Sequence, residues 1–210
     1  WYEKAATQGN AQAQSNLGFL YENGQGMTQD YRQARTWYEK AAAQGYANAQ
    51  YNLGVLYDEG KGVTHDYTQA AAWYEKAAVQ GDADAQFNLG LLYDEGKGVT
   101  QDYGQAHVWY EKAATQGNAQ AQSNLGFLYE NGQGMTQDYR QARTWYEKAA
   151  AQGYANAQYN LGVLYDEGKG VTHDYTQAAA WYEKAAVQGD ADAQFNLGLL
   201  YDEGKGVTQD

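Results

Sequence analysis

The string Trp-Tyr-Glu-Lys-Ala-Ala begins at Trp1, Trp37, Trp73, Trp109, Trp145 and Trp181, always 36 residues apart. A fixed period of this length confines the chain to stacked supersecondary units, because one such unit is too small to bury its own apolar face. A longer period lies above it. Residues 109–210 are identical to residues 1–102, an offset of 108 residues, or three units. The expected organisation is a partial repeat at 1–10, full repeats at 11–46, 47–82, 83–118, 119–154 and 155–190, and a partial repeat at 191–210.

One repeat, 47–82, shows what each unit builds. Ala49, Leu53, Leu56 and Tyr57 recur at helical spacing and form the apolar stripe of a first helix. Gly54 inside that stripe lets a neighbour approach closely, and Gly60 and Gly62 end the helix. Asp66 opens a second helix as its N-cap, with Gln69 placed to complete a capping box. Tyr67, Ala70, Tyr74, Ala77 and Ala78 carry the apolar face of that helix, Trp73 lies beside it, and Gly81 stops it. The pattern predicts helices over 11–23 and 30–44, repeated every 36 residues. Leu53, Leu56, Tyr57, Tyr67, Trp73, Tyr74, Ala77 and their copies are expected to be buried, with Gly54 at a close helix contact. Hairpins of this kind stack into an all-α solenoid, expected to be a right-handed superhelix.

Ala47, Ala49-Gln50, Asn52-Leu53-Gly54, Leu56-Tyr57, Gly60, Gly62-Val63, Asp66-Tyr67, Ala70, Trp73-Tyr74, Lys76-Ala77-Ala78 and Gly81 together resemble the Sel-one-like repeat (SLR), a relative of the tetratricopeptide repeat. The resemblance covers the whole chain. It implies adaptor or scaffold roles and brings no catalytic residues. One branch of the family staples each repeat with a disulfide; this chain has no Cys and departs from that branch.

Comparison among the chain's own repeats separates frame from variation. The first helix changes at Gln12/Asn48/Asp84, Ser15/Tyr51/Phe87, Phe19/Val55/Leu91 and Glu22/Asp58/Asp94. The spacing places these residues on one face, expected to lie opposite the core. In superhelices of helical hairpins the first helix usually lines the concave side. The face is therefore the candidate partner-binding surface, with Tyr51 and Phe87 as aromatic anchors; the alternative is a merely solvated face. Charge varies too. Repeat 11–46 is neutral, whereas 47–82 and 83–118 each carry −3. Arg32 and Arg35, which return as Arg140 and Arg143, contribute to that neutrality. A basic spot every third repeat could set lateral register between chains or dock an anionic polymer; a solvated charged face is again the alternative.

The net charge of −12 opposes encounter with nucleic acid or an anionic membrane, and no apolar run is long enough to span a bilayer. His65, His107 and His173 are the only histidines and have no Cys or second His at ligand spacing, so no metal is expected. Asp58-Glu59-Gly60-Lys61-Gly62 lacks the spaced ligands of a Ca²⁺ loop, and Glu22-Asn23-Gly24-Gln25-Gly26 follows a helix and has no Lys-Ser/Thr after it, so it is no phosphate loop. No cofactor is expected. Ser15 and Ser123 have no His near them in sequence, and a carboxylate site would recur along the chain, so an enzyme is not expected.

The expected partners are other proteins or copies of the chain itself. Trp1-Tyr2 reads as the middle of a helix and Asp210 as an N-cap with no helix after it, where solenoids normally carry polar capping repeats. The expectation is a window onto a longer array of 108-residue units that behaves as a structural fibre, placed outside the cell or on its surface. An adaptor binding a protein or peptide on its concave face is the alternative.

Overall fold

The computed structural model describes residues 1–207. Asp210, read above as an N-cap, lies outside them. Every regular element among the described residues is a helix: α1 (Tyr2–Thr7), α2 (Ala11–Asn23), α3 (Tyr31–Ala42), α4 (Ala47–Glu59), α5 (Tyr67–Ala78), α6 (Ala83–Glu95), α7 (Tyr103–Thr115), α8 (Ala119–Asn131), α9 (Tyr139–Ala151), α10 (Ala155–Glu167), α11 (Tyr175–Ala186) and α12 (Ala191–Asp202). The chain divides within α7 into two compact units, Trp1–Trp109 and Tyr110–Asp210. In the first, α2 pairs with α3 and α4 with α5, while α1 packs on α2, α3 on α4 and α5 on α6. In the second, α8 pairs with α9 and α10 with α11, while α9 packs on α10 and α11 on α12.

Each helix end has a local cause. Asp66 Oδ1 accepts hydrogen bonds from the Thr68 and Gln69 amides at 2.9 and 3.1 Å, and Asp30, Asp138 and Asp174 do the same for their own helices. The capping box expected from Gln69 is only half present. The Asp66 amide donates to the Tyr57 carbonyl at 3.0 Å, so the group a Gln69 side chain would satisfy is already taken. Asn10, Asp82, Asn118 and Asp190 cap the first helices, but Tyr46 and Tyr154 stand at the same position with no side-chain cap bond. Gly60 ends α4 in the left-handed region at φ +67°, a conformation an L side chain rarely adopts.

Packing explains the repeat more closely than the apolar stripe alone. Leu53, Leu56, Tyr74 and Ala77 are buried as expected. Tyr57, Tyr67 and Trp73 are only half-buried, which corrects the expectation for them. Their exposed faces have partners: the Lys76 ammonium sits 3.7 Å from the Trp73 ring centre, and that of Lys97 lies 5.4 Å from the Tyr67 ring. Gly18 faces the ring of Tyr38 so closely that a Cβ there would stand 2.7 Å from it, and Gly54 faces Tyr74 in the same way. Gly18, Gly54, Gly126 and Gly162 thus each admit an aromatic ring from the second helix of their own hairpin.

A buried glutamine in each of α2, α4, α6, α8 and α10 reaches the end of the preceding helix. Gln50 Nε2 donates at 3.3 Å to the Ala42 carbonyl at the end of α3, which also accepts from the Gly45 amide at 2.9 Å, and Gln50 Oε1 accepts from Gln80 Nε2 at 2.7 Å. Gln14 reaches back to the Ala6 carbonyl and accepts from Gln44. In the second unit Gln158 joins the Ala150 carbonyl to Gln188. Nothing in the apolar pattern singles these residues out, although Gln recurs at that place in every copy. A polar residue beside the apolar stripe looks solvated until the preceding helix end is set against it.

Candidate functional site

The structure divides the twelve candidate residues of the variable face into two groups. Ser15 is buried, and its hydroxyl donates to Asn48 Oδ1 at 2.9 Å across the seam between α2 and α4. Tyr51 and Val55 are half-buried and pack against the cluster built around Tyr74, Ala85 and Leu89. The Tyr51 ring lies 5.9 Å from that of Tyr74, and burial followed by the charges of Asp84 and Asp82 pushes its hydroxyl up to about 12. Glu22 accepts a 2.6 Å hydrogen bond from the Tyr38 hydroxyl, and Asp58 accepts one of 2.9 Å from Tyr74. Burial first, then these carboxylates, holds both tyrosine hydroxyls far above their ordinary range.

The expectation that the face lies wholly opposite the core is thus corrected for Ser15, Tyr51, Val55, Glu22 and Asp58. Successive first helices lie near enough to share this face, so helical spacing alone could not reveal the seam. Phe87, Leu91 and Asp94 are also half-buried, while Gln12, Asn48 and Asp84 stay exposed at the start of their helices. Phe19 is the outlier. It is 48% exposed, and Phe127, its copy in the second unit, is 49% exposed. Tyr51 and Phe87, singled out as anchors by residue type, are less open than Phe19, which the sequence reading included without emphasis.

Other charged motifs resolve into local contacts. Glu59 pairs with Lys61 at 2.5 Å and Asp58 faces Tyr74, so the acidic loop is engaged within the protein. The His65 ring stands edge-on to Tyr67 at 4.1 Å, and no group of three or more metal-ligating side chains occurs among the described residues. No helix among those residues is long and apolar enough to cross a membrane. Lys40 and Lys76 lie over Trp37 and Trp73, whereas Lys61 and Lys97 pair with glutamates. Arg32 and Arg35 instead line a shallow pocket closed on its other side by Gly62, Val63 and Thr64. Arg140, Arg143, Gly170, Val171 and Thr172 line the equivalent pocket of the second unit.

Comparison with known proteins fits this frame of stacked hairpins. The Sel1 repeat model matches residues 1–10, 11–46, 47–82, 83–118, 119–154, 155–190 and 191–210. The chain belongs to the Sel1 repeat family, and its fold is the all-helical solenoid of that family. A protective antigen from uropathogenic Escherichia coli strains displaying an SLR fold is similar to it at 44% identity and a TM-score of 0.96, over 100% of this chain and 45% of that one. The present chain therefore spans less than half the length of that protein. A Sel1 repeat protein from Oxalobacter formigenes is 38% identical with a TM-score of 0.83, over 93% of this chain and 80% of that one. An immunity protein from Pseudomonas aeruginosa is 25% identical with a TM-score of 0.54, over 91% of this chain and 73% of that one. No curated protein matches the chain significantly.

Proposed function

We propose that the chain is a non-catalytic scaffold that holds a protein or peptide partner against the first-helix face, with Phe19 and Phe127 as anchors. The exposure of these two rings carries the reading. A phenylalanine that leaves about half its surface in water loses the hydrophobic stabilisation a buried one has, and a partner that covers it restores that stabilisation. At the equivalent place in the next repeat Val55 is half-buried against its neighbours, so the frame itself does not require an open ring there. Gln12 and Asn23 are exposed on the same helix and supply polar contacts around the anchor.

The groups with displaced ionisation support the absence of a catalytic role. They are hairpin tyrosines, loop lysines paired with glutamates, and Asp82, which burial raises while it caps α6. All of these serve local structure. The test is peptide selection on the intact chain by phage display, followed by affinity measurement on a Phe19→Ala/Phe127→Ala variant. The reading expects at least a roughly tenfold loss of affinity, about 1.4 kcal/mol, with the melting temperature unchanged. Selected peptides that bound the variant as tightly as the parent would overturn it.

A structural array is the second reading, carried by the identity of residues 109–210 with 1–102. An adaptor has no need of identical 108-residue units, whereas an array grows by adding them. Negatively stained filaments of the intact protein would support the array. Particles that remained single at high concentration would remove it.

A further inference from the structure

The four arginines of this chain, Arg32, Arg35, Arg140 and Arg143, all line the two equivalent pockets, and no arginine occurs elsewhere. At the matching positions the next repeat has Thr68 and Ala71, and the one after has Gly104 and His107. The guanidinium pair is therefore peculiar to one repeat type in three. Arg32 and Arg35 are three apart on α3 and share one side of that helix. The opposite wall is fixed by backbone contact rather than by side-chain chance. Gly62 abuts Tyr31 so closely that a Cβ there would stand 2.7 Å from the Tyr31 carbonyl carbon. Gly170 abuts Tyr139 in the same way.

The donors in this pocket are under-used. The Arg32 side chain is exposed, and its guanidinium makes no hydrogen bond or ion pair among the described residues. Arg35 Nε lies 3.3 Å from Glu39 Oε1, but without the alignment of a hydrogen bond, and the atom is out of contact with solvent. The terminal nitrogens of the Arg35 fork make no hydrogen bond among the described residues. The Thr64 hydroxyl on the facing wall is exposed and likewise makes no hydrogen bond among the described residues. Among the described residues Glu39 is the one acidic side chain ion-paired with either guanidinium, and it lies on the next turn of α3. Arg143 and Glu147 repeat the arrangement at the same 3.3 Å.

We infer that each pocket binds an oxyanion, a carboxylate or a phosphoryl group, held by the two guanidiniums with the threonine hydroxyl opposite. A guanidinium presents its donors in a planar fork that matches two oxygens at once, which a lysine ammonium cannot do. The chain as a whole carries −12, so anions are repelled in general and a site that accepts one must be built locally. The lysines of these repeats are held by tryptophan rings or by glutamates, and leave this role to the arginines. The site is separate from the Phe19 face and does not depend on it.

The test is a titration of the intact chain with inorganic phosphate and, separately, with an acetylated hexaglutamate peptide. Binding is followed by the ¹⁵N shifts of the Arg35 and Arg143 Nε groups and by calorimetry. Saturable arginine shifts with either probe support the site. Tighter binding of the peptide than of phosphate identifies carboxylates as its oxyanion, and the reverse order identifies a phosphoryl group. Arg32→Gln/Arg140→Gln should weaken binding about tenfold or more at an unchanged melting temperature, and Arg32→Lys/Arg140→Lys should recover only part of it. Absence of shifts with both probes would overturn the inference. So would equal affinity in the glutamine variant.

Discussion

Repeats 11–46 and 47–82 fold by the same plan and differ in what they leave open. Each sets a glycine against a tyrosine ring, ties that tyrosine to a carboxylate, and sends a buried glutamine to the preceding helix end. On this shared frame the first repeat exposes Phe19 and carries Arg32 and Arg35. The second packs Val55 inward and has Thr68 and Ala71 in their place. Although some varying residues, such as Glu22 and Asp58, take part in these contacts, Phe19, Arg32 and Arg35 lie apart from them. A surface can change there at little cost in stability.

The largest effect should come from breaking what the two repeats share. Gly18→Leu and Gly54→Leu each force a side chain into a tyrosine ring and should cost about 3 kcal/mol, read as a lowered thermal midpoint. Ala72→Leu, on the exposed face of α5, is the control, and its midpoint should barely move. Equal effects at all three positions would contradict the close approach of glycine and ring. Next in size, Gln50→Ala removes one of the two hydrogen bonds at the Ala42 carbonyl and at the Gln80 side-chain amide, which keep Gly45 and Lys76 as partners, and should cost about 1.5 kcal/mol by denaturant unfolding.

A smaller change sharpens the difference between the repeats. Asn10 Oδ1 accepts from the Ala13 amide at 2.8 Å, whereas Tyr46 makes no such bond. Asn10→Ala should therefore destabilise by about 1 kcal/mol, measured by chemical denaturation. The smallest effect concerns alkaline stability. The Tyr51 hydroxyl ionises near 12 when folded, above the ordinary tyrosine value of 10.0. The unfolded chain loses that proton first, so this contribution is fully present below pH 10 and is lost as the pH rises towards 12. Tyr51→Phe should make the fall in thermal midpoint across that window shallower, while Ser15 in the first repeat has nothing to titrate.

The hairpin frame was legible because it obeys local rules that repeat. The 36-residue period, the apolar spacing of Leu53, Leu56 and Tyr57, and the Gly60 and Asp66 ends place every helix within a residue or two. What the sequence hid lies between hairpins. Ser15 looked solvent-facing because nothing in α2 reveals that Asn48 will meet it, and Gln50 looked polar for the same reason. Tyr51 and Phe87 stand out by residue type, yet Tyr51 packs against the cluster around Tyr74, Ala85 and Leu89, and both are less open than Phe19. Exposure on a solenoid is decided by the adjacent repeat, which single-helix periodicity does not describe.

The most direct test of a frame separable from its surface is a transplant. Phe19→Val, Arg32→Thr and Arg35→Ala, together with Phe127→Val, Arg140→Thr and Arg143→Ala, give the first repeat type the surface of the second. The affinity of a selected peptide for this variant is the measurement, with thermal unfolding as its control. The account predicts at least a roughly tenfold loss of affinity at a melting temperature within a few degrees of the parent. Unchanged affinity would contradict it by placing recognition on the residues that the repeats share.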